Sequence, residues 1–255
     1  MRNIKLFLQF DGAAFHGFQQ QPNGDTVEAQ LKKALSRLLG EACTVYGCSR
    51  TDAGVHANEF CCNFKTQSDR DCDKLLQGLN AVLPPQISVL SCAQAPESFH
   101  ARYDCRAKEY AYCIWNGRTR NPFLLQRALF YPFPLDVTFL NEQAQDFVGT
   151  HDFSAFCASG ASTKTSVRTI ERCSVVRTGE LVTFTVCGNG FLYHMVRIMV
   201  GTLLDLQRGK LPPGSIPSIL RSADRTRAGI TAPAEGLYLN RVFYDEGSLS
   251  DGSEG

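Results

Sequence analysis

The run Cys48-Ser49-Arg50-Thr51-Asp52-Ala53-Gly54-Val55-His56-Ala57 places one carboxylate, Asp52, in a loop between two apolar, strand-like segments, residues 44–48 and 59–65. Loops that a rigid scaffold holds at both ends often carry the chemistry of a protein. We therefore expect this loop to join two neighbouring strands, and Asp52 is the first candidate for a reactive group.

The segments around this loop follow the order strand, helix, strand, strand, helix, strand. Alternating apolar residues predict a strand over 3–10. Asp25 and Glu28 form a capping pair before a helix that ends at Gly40. A second helix over 71–79 and a strand over 87–95 complete the set. This order is the split βαβ pattern of ferredoxin-like folds.

The second half of the chain repeats that order. It predicts, in turn, a strand over 109–115, a helix over 136–148, a hairpin of 169–177 and 180–188, helices over 191–207 and 216–223, and a strand over 236–244. We predict an α+β protein of two ferredoxin-like (βαββαβ) halves, residues 1–105 and 106–246, joined along a mixed or antiparallel central sheet with a cleft between them. The tail, residues 247–255, is rich in Gly, Ser and acidic residues and is expected to be disordered.

The composition is that of an ordinary water-soluble protein. The chain has 255 residues, 44% of them hydrophobic, and a net charge of +1. Its longest apolar run, residues 191–204, is too short to span a bilayer, and the first residues lack the features of a secretory signal. We expect a cytoplasmic protein. The 26 cations are 18 Arg and 8 Lys, and Arg suits phosphates and base edges, so an RNA substrate is permitted.

The 11 cysteines predict neither a disulfide framework nor a metal site. Their number is odd, no Cys-x-x-Cys pair occurs, and the histidines lack the spacing of a zinc site. Several lie in apolar strands, where thiols behave as small hydrophobic groups. We interpret them as reduced and structural. No Walker loop or Rossmann fingerprint is present, so no cofactor is expected.

Arg197 is the only formally charged residue between Gly190 and Leu204, within a helix that is apolar on most faces. A buried arginine needs an anion, since an unpaired buried charge is very costly. Asp52 is the attractive partner. The alternative is that Arg197 reaches water or caps backbone carbonyls. Helical spacing places His194, Arg197 and Gly201 on one side, where Gly201 would let another backbone approach.

Local sequence leaves two roles open for Asp52 and two for Tyr110. An Asp before Ala-Gly commonly closes an Asx-turn, a purely structural role. Tyr110 and Tyr112 alternate on one strand, which is typical of half-buried sheet residues, yet such a ring can also stack on a base.

Motifs from end to end resemble the TruA family of tRNA pseudouridine synthases. They cover residues 5–244 in the family's order. The matching segments are Phe10-Asp11-Gly12 with His16-Gly17-Phe18-Gln19-Gln20, Arg50 to Ala57, Phe99 to Tyr103, Lys108 to Tyr112, Asn189 to Arg197, and Glu235 to Leu239. Two positions depart from the family pattern: Phe18 replaces Trp, and Ser49 replaces Gly. If Ser49 needs a positive φ, the loop is strained.

The resemblance implies an isomerase that converts uridine to pseudouridine at positions 38, 39 and 40 of the tRNA anticodon stem-loop. It implies no cofactor or metal, and it implies a homodimer. Asp52 would be the essential carboxylate, which either attacks C1′ or takes a sugar proton in a glycal route. Arg197 would pair with and orient Asp52, and Arg50 would stabilise the flipped nucleotide.

The substrate contacts follow from the same resemblance. Tyr110 would contact the target uridine, while Arg102 and Arg106 could contact phosphates. The competing interpretation is a non-catalytic tRNA-binding or RNA-folding protein on the same fold. A hydrolase is disfavoured, because no second acid or metal site accompanies Asp52.

Overall fold

The computed structural model describes residues 1–160 and 165–245. Its contacts divide the chain into two compact units, residues 1–106 with 238–245, and residues 107–237. Each unit combines helices with a sheet, so the predicted α+β class is confirmed. The predicted tail at 247–255 lies outside the described residues.

The first unit begins with six elements in the predicted order. They are β1 (Arg2–Phe10), α1 (Val27–Leu39), β2 (Val45–Gly47), β3 (His56–Thr66), α2 (Cys72–Val82) and β4 (Ile87–Ala95). Strand β1 pairs antiparallel with both β4 and β3, and β2 pairs antiparallel with residues 62–64 of β3. The loop that carries Asp52 therefore connects two hydrogen-bonded neighbours, as predicted.

The start of α1 differs from the predicted capping pair. Thr26 is the N-cap, and its hydroxyl accepts a hydrogen bond from Ala29 N at 3.3 Å. Asp25 instead accepts hydrogen bonds from Gln30 Nε2. Glu28 accepts one from Gln20 N at 2.8 Å. The predicted end is correct, because Gly40 has a φ of +73° and caps the helix.

The core of the first unit lies between the sheet and its two helices. Large side chains from β1, β3, α1 and α2 are almost completely buried there; they are Ile4, Leu6, Leu8, Leu31, Leu35, Phe60, Phe64, Leu75 and Leu79. Burying one such side chain stabilises the fold by about 1.5–3 kcal/mol. This core makes the strands on either side of the Asp52 loop a rigid frame.

The second unit contains more elements than predicted. They are β5 (Ala107–Trp115), β6 (Leu129–Phe130), α3 (Val137–Ala144), β7 (Gly149–Asp152), β8 (Val167–Thr178), β9 (Leu181–Gly188), α4 (Met195–Gln207) and α5 (Ile216–Ser222). The strands follow the order β5-β9-β8-β7 with antiparallel pairing, and β6 pairs parallel with β5. The short strands β6 and β7 were absent from the sequence prediction.

Two helices of the second unit are shorter than predicted. The last turn of the predicted helix over 136–148 tightens to a 3₁₀ turn at residues 145–147. Helix α4 begins at Met195, because His194 has a left-handed φ of +59° and breaks the helical pattern that starts at Phe191. His194 therefore caps the helix instead of lying on its face with Arg197.

The last strand, β10 (Leu237–Phe243), has contacts that group residues 238–245 with the first unit. The predicted second half, residues 106–246, had included it. Residues 238–245 group with the first unit because Tyr238 and Leu239 pair parallel with His56 and Ala57 of β3. The Tyr244 hydroxyl also donates to Ala101 O at 2.6 Å.

Two further findings concern the described residues. None of their helices has the length and apolar character needed to cross a membrane. Within the same ranges the cysteines form no disulfide, and no group of three or more His, Cys, Asp or Glu side chains is arranged to hold a metal ion.

Candidate active site

The Asp52 loop is closed by its own backbone. At its start Cys48 N donates to Cys61 O at 2.8 Å, which continues the pairing of β2 with β3. At its end Val55 N donates to the Asp52 carbonyl oxygen at 3.2 Å, and Gly54 has a φ of +79°. The turn thus uses the backbone carbonyl of Asp52 for its closing bond. The side chain of Asp52 is half-buried, and that of Arg50 is exposed.

A second segment, residues 12–18, supports this loop from the side. Gly54 N donates to Phe15 O at 3.3 Å. A Cβ atom on Gly12 would lie 2.0 Å from Val55 O, and one on Gly17 would lie 2.2 Å from Thr51 O. Gly17 also has a φ of +84°. These two positions accept only glycine, because the loop backbone passes directly against them.

His56 fixes the end of the loop where β3 begins. Its ring is 2% exposed and lies against the Tyr238 ring, with the ring centres 4.6 Å apart. Nδ1 accepts a hydrogen bond from Gly12 N at 3.0 Å and lies 3.2 Å from Asp11 Oδ1. Spacing in the sequence indicates no partner for His56. The segment Phe10-Asp11-Gly12 is one of the family motifs, but only the tertiary structure brings it to His56.

Ser49 does not introduce the strain that a positive φ would cause. Among the described residues, the non-glycine positions with positive φ are Gln126, His194 and Ala223. Ser49 is not among them, and its hydroxyl donates to Arg50 O at 3.3 Å. The departure from the family's glycine is therefore tolerated locally.

The predicted phosphate contacts, Arg102 and Arg106, lie near the end of the first unit's main segment and are both exposed. Arg106 forms a salt bridge with Asp245. The Arg102 guanidinium has no hydrogen bond or salt bridge within the described ranges. Of the two, Arg102 is the cation better placed to meet an external anion.

Arg197 lies in the first turn of α4, in the second unit. Its Nε donates to Ala232 O at 2.7 Å, and its own carbonyl oxygen accepts from Ala232 N at 3.1 Å. The sequence left open the alternative that Arg197 binds a backbone carbonyl, and its Nε makes such a contact. This contact fixes the plane of the guanidinium. The predicted ion pair with Asp52 stays a prediction.

The segment that holds Arg197, residues 229–232, packs tightly along α4. A Cβ atom on Gly201 would lie 1.7 Å from Ile230 O, so the predicted close approach of a backbone at Gly201 is confirmed. Thr202 Oγ1 accepts from Gly229 N at 2.9 Å, and Asp205 Oδ2 accepts from Ile230 N at 3.2 Å. We call residues 229–232 the strap.

Tyr110 and Tyr112 lie on β5 with little exposed surface. Tyr110 is 6% exposed, and its ring packs against that of Phe191 in a T-shaped pair with the ring centres 5.0 Å apart. The Tyr112 hydroxyl donates to Pro233 O at 2.8 Å. Burial and the nearby Glu235 carboxylate raise the pKa of Tyr112, while the positive charge of Arg197 opposes that shift. Tyr112 is thus a neutral structural residue.

The predicted site residues fall into two sets. Asp52, Arg50, Arg102 and Arg106 belong to the first unit, and Tyr110 and Arg197 belong to the second. Within the first unit, Asp52 and Arg50 share one loop whose backbone is fixed on both sides. Gly12, Gly17 and His56 lie within the sequence motifs, but their role in supporting the loop is visible only in the structure.

The chain matches known proteins over nearly its whole length. A family model described as tRNA pseudouridine synthase matches residues 7–104 and 143–245. Proteins named tRNA pseudouridine synthase A from Acetivibrio thermocellus and Caldicellulosiruptor bescii are 45% and 42% identical to it. One from Streptococcus suis is 43% identical. Each match covers 96% of this chain and 100% of the relative.

Among solved structures, a chain in the crystal structure of a Cbf5-Nop10-Gar1 complex aligns with a TM-score of 0.36 and 12% identity. The alignment covers 93% of this chain and 52% of that one. That likeness is too weak to support an argument. The family model and the relatives suffice: this chain belongs to the tRNA pseudouridine synthase family.

Proposed function

We propose that this protein converts uridine to pseudouridine at positions 38, 39 and 40 of the tRNA anticodon stem-loop. The N1–C1′ glycosidic bond breaks, the uracil turns, and a C5–C1′ bond forms, while C5 loses its proton to solvent and N1 takes one up. The product is an isomer of the substrate, so the enzyme is an intramolecular transferase. Family membership supports isomerisation of uridine in tRNA, and the three positions are the finer part of the proposal.

Asp52 is proposed as the catalytic carboxylate. The observation that carries this proposal is the support of its loop: the strands before and after it are paired, and Gly12 and Gly17 contact its backbone. A reacting group held in this way needs little reorganisation before it meets the substrate. A single carboxylate is sufficient, because the reaction activates no water, in contrast to glycoside hydrolysis. Asp52 would either attack C1′ or take a sugar proton in the glycal route.

Arg197, Tyr110 and Arg50 complete the proposed site. Arg197 would pair with the Asp52 carboxylate and favour its charged form, and its bond to Ala232 O supports a fixed guanidinium. Tyr110 would contact the target uracil. Arg50, whose side chain is exposed, would stabilise the nucleotide after it leaves the base stack, a step that costs a few kcal/mol.

The remaining parts of the proposal concern partners and location. Arg102 and Arg106 would contact tRNA phosphates, with a salt-dependent contribution to affinity. For Arg106 this requires the exchange of Asp245 for a phosphate. A homodimer is proposed from the family resemblance, and a cytoplasmic location is proposed from the composition of the chain.

The decisive test is release of tritium from a tRNA transcript labelled at uridine C5, comparing the parent with Asp52→Asn. We expect release by the parent and none above background by the variant, with tRNA affinity changed less than about threefold, because the substitution keeps the shape of the side chain. Transcripts that carry a single uridine at 38, 39 or 40 test the positions.

Two outcomes would contradict the proposal. Tritium release by Asp52→Asn at the parental rate would remove Asp52 from the chemistry. No release by the parent from any transcript with uridine in this stem-loop, despite tight binding, would favour the non-catalytic tRNA-binding alternative.

A further inference from the structure

Three aromatic rings of the first unit form a contiguous cluster, which we call the Tyr103 platform: Tyr46, His100 and Tyr103. The ring centres of Tyr46 and His100 are 4.9 Å apart, and those of His100 and Tyr103 are 4.3 Å apart. Tyr103 is 77% exposed and Tyr46 is 41% exposed. The cluster therefore presents aromatic surface to solvent on its outer side.

The turn that carries His100 and Tyr103 is rigid. His100 N donates to Asp104 Oδ2 at 2.9 Å, and His100 Nδ1 accepts from Arg102 N at 3.1 Å. The amides of Tyr103 and Asp104 both donate to His100 O at 3.1 Å. The imidazole is thus fixed by its own turn, and it in turn supports the Tyr103 ring.

The turn is also fastened to the sheet beside Tyr46. Asn63 on β3 is 1% exposed. Its Nδ2 donates to Phe99 O at 3.3 Å, and its Oδ1 accepts from Ala101 N at 2.9 Å. Asn63 is the register partner of Tyr46 in the pairing of β2 with β3. The buried Asn63 side chain therefore holds the turn beside Tyr46, whose ring contacts His100.

The surroundings of the platform offer a cation. Arg102 lies one residue before Tyr103, is exposed, and has no side-chain partner in the part of the chain that the structure describes. The nearby acidic groups have partners: Asp104 accepts from His100 N, and Asp245 pairs with Arg106. A hollow of about 440 Å³ borders Tyr103 and Arg106, which leaves room for a ring next to the tyrosine.

We propose that the Tyr103 platform stacks an unpaired base of the tRNA while Arg102 contacts a neighbouring phosphate. Every base has a π-face, so an exposed and immobilised ring with a cation beside it is the usual arrangement for holding single-stranded RNA. Strand β2, which carries Tyr46, leads directly into the loop with Arg50 and Asp52. The inference rests on the proposed function and adds a second contact outside the reacting nucleotide.

The test is the affinity of the full-length protein for an unmodified tRNA transcript at fixed salt. Tyr103→Ala should weaken binding about 5- to 150-fold, the range for loss of one base stack. Tyr103→Phe and Tyr103→Trp should bind like the parent, while Tyr103→Leu should bind like Tyr103→Ala. Because the side chain is largely exposed, the Tm should stay within about 2 °C in the whole series.

A transcript series with single abasic sites identifies the stacked base. One abasic site should weaken binding by the parent as much as Tyr103→Ala does and should cause no further loss with that variant. Arg102→Gln should reduce the slope of log K against log salt by about 0.7–0.9. Arg106→Gln, whose cation is already paired, should change the slope by less.

Parental affinity of Tyr103→Ala, or of Tyr103→Leu, would overturn the platform. This result is separable from failure of the proposed function. A parent protein that forms pseudouridine while Tyr103→Ala binds normally refutes only the platform. A parent that releases no tritium while Tyr103→Ala loses affinity refutes only the activity.

Discussion

At the scale of single residues, contacts at Gly12, Gly17 and His56 fix the loop backbone that carries Asp52. The loop backbone packs closely against Gly12 and Gly17, which lack Cβ atoms, and the ring of His56 accepts a hydrogen bond from Gly12 N at the end of the loop. Burial of Phe18 against Phe60, with ring centres 4.1 Å apart, supports the same segment from below. Changes at these supports should affect catalysis without touching the carboxylate.

Gly17→Ala should cost more stability than its backbone conformation alone explains. A left-handed alanine costs about 1–2 kcal/mol, and here its Cβ would also meet Thr51 O at 2.2 Å. Urea unfolding and tritium release measure the two effects. Gly40→Ala is the matched control, since Gly40 has a φ of +73° and nothing within 4 Å of its Cβ position. Equal losses for the two variants would mean that the contact with the loop is unimportant.

His56→Phe should destabilise the protein by about 1–3 kcal/mol, the cost of a buried donor that loses its acceptor. The new ring can still lie against Tyr238, but Gly12 N loses Nδ1. Urea unfolding and hydrogen exchange of the Gly12 amide report the loss. His151→Phe is the control, because its hydrogen bond to Val148 O is exposed. Slow exchange of Gly12 in His56→Phe would argue against the predicted role.

At the scale of elements, the contact between α4 and the strap fixes Arg197. The helix offers a groove at Gly201 and Thr202, and the strap backbone enters it. Apolar residues on most faces of α4 are buried, as its sequence predicted. The helix therefore supplies stability through its buried faces and positions the guanidinium through one backbone contact with Ala232.

Gly201→Ala tests this element. Alanine favours a helix over glycine by about 1 kcal/mol, but its Cβ would lie 1.7 Å from Ile230 O. We expect net destabilisation of about 1–3 kcal/mol and lower activity, because the strap must move away from Arg197. Thermal unfolding and tritium release measure both. Gly78→Ala in α2 is the control: its neighbours are the Leu38 methyl groups at 3.2 and 3.3 Å, which can shift. A more stable Gly201→Ala would contradict the expected clash.

At the scale of the whole molecule, several cysteines are buried side chains of the packed core. Burial raises the pKa values of the Cys61, Cys62 and Cys173 thiols well above the ordinary range. It raises that of Cys187 to about 11, with the nearby Glu171 and Glu109 carboxylates also raising it and Arg172 lowering it. A thiol is neutral below its pKa, so these groups are poor nucleophiles at neutral pH.

We expect Cys61, Cys62 and Cys173 to resist iodoacetamide at pH 8 in the native protein and to react fully in guanidinium chloride. Mass spectrometry of tryptic peptides gives the extent of alkylation at each position. Rapid alkylation of Cys61 or Cys62 in the native state would contradict their burial and the interpretation of these thiols as structural.

The sequence predicted those features that depend on local patterns. Alternation and helical spacing located most strands and helices, and Gly40 ended α1 where expected. The hairpin turn that was predicted at residues 178–179 lies one residue later, at 179–180. Other errors lie at helix starts, where neighbouring residues compete for the capping position. Thr26 replaced Asp25 as the cap of α1, and the left-handed His194 delayed α4. The Asp52 loop was recognisable because its motif is contiguous.

Contacts between distant segments could be decided only by the tertiary structure. Such contacts join residues that are far apart in the chain or that have no side chain to indicate a partner. They are the pairing of Tyr238 with His56, the approach of Gly17 to Thr51, and the packing of the strap against Gly201. The Tyr103 platform is of the same kind, since the rings of Tyr46 and Tyr103 both contact His100, and Asn63 holds the turn that carries His100. The sequence by itself determined most of the helices and strands, the Asp52 loop and the family, because local backbone preferences and contiguous motifs depend on neighbouring residues. Only the tertiary structure decided how the Asp52 loop is supported. That support depends on close backbone packing, which is possible where glycine has no Cβ atom.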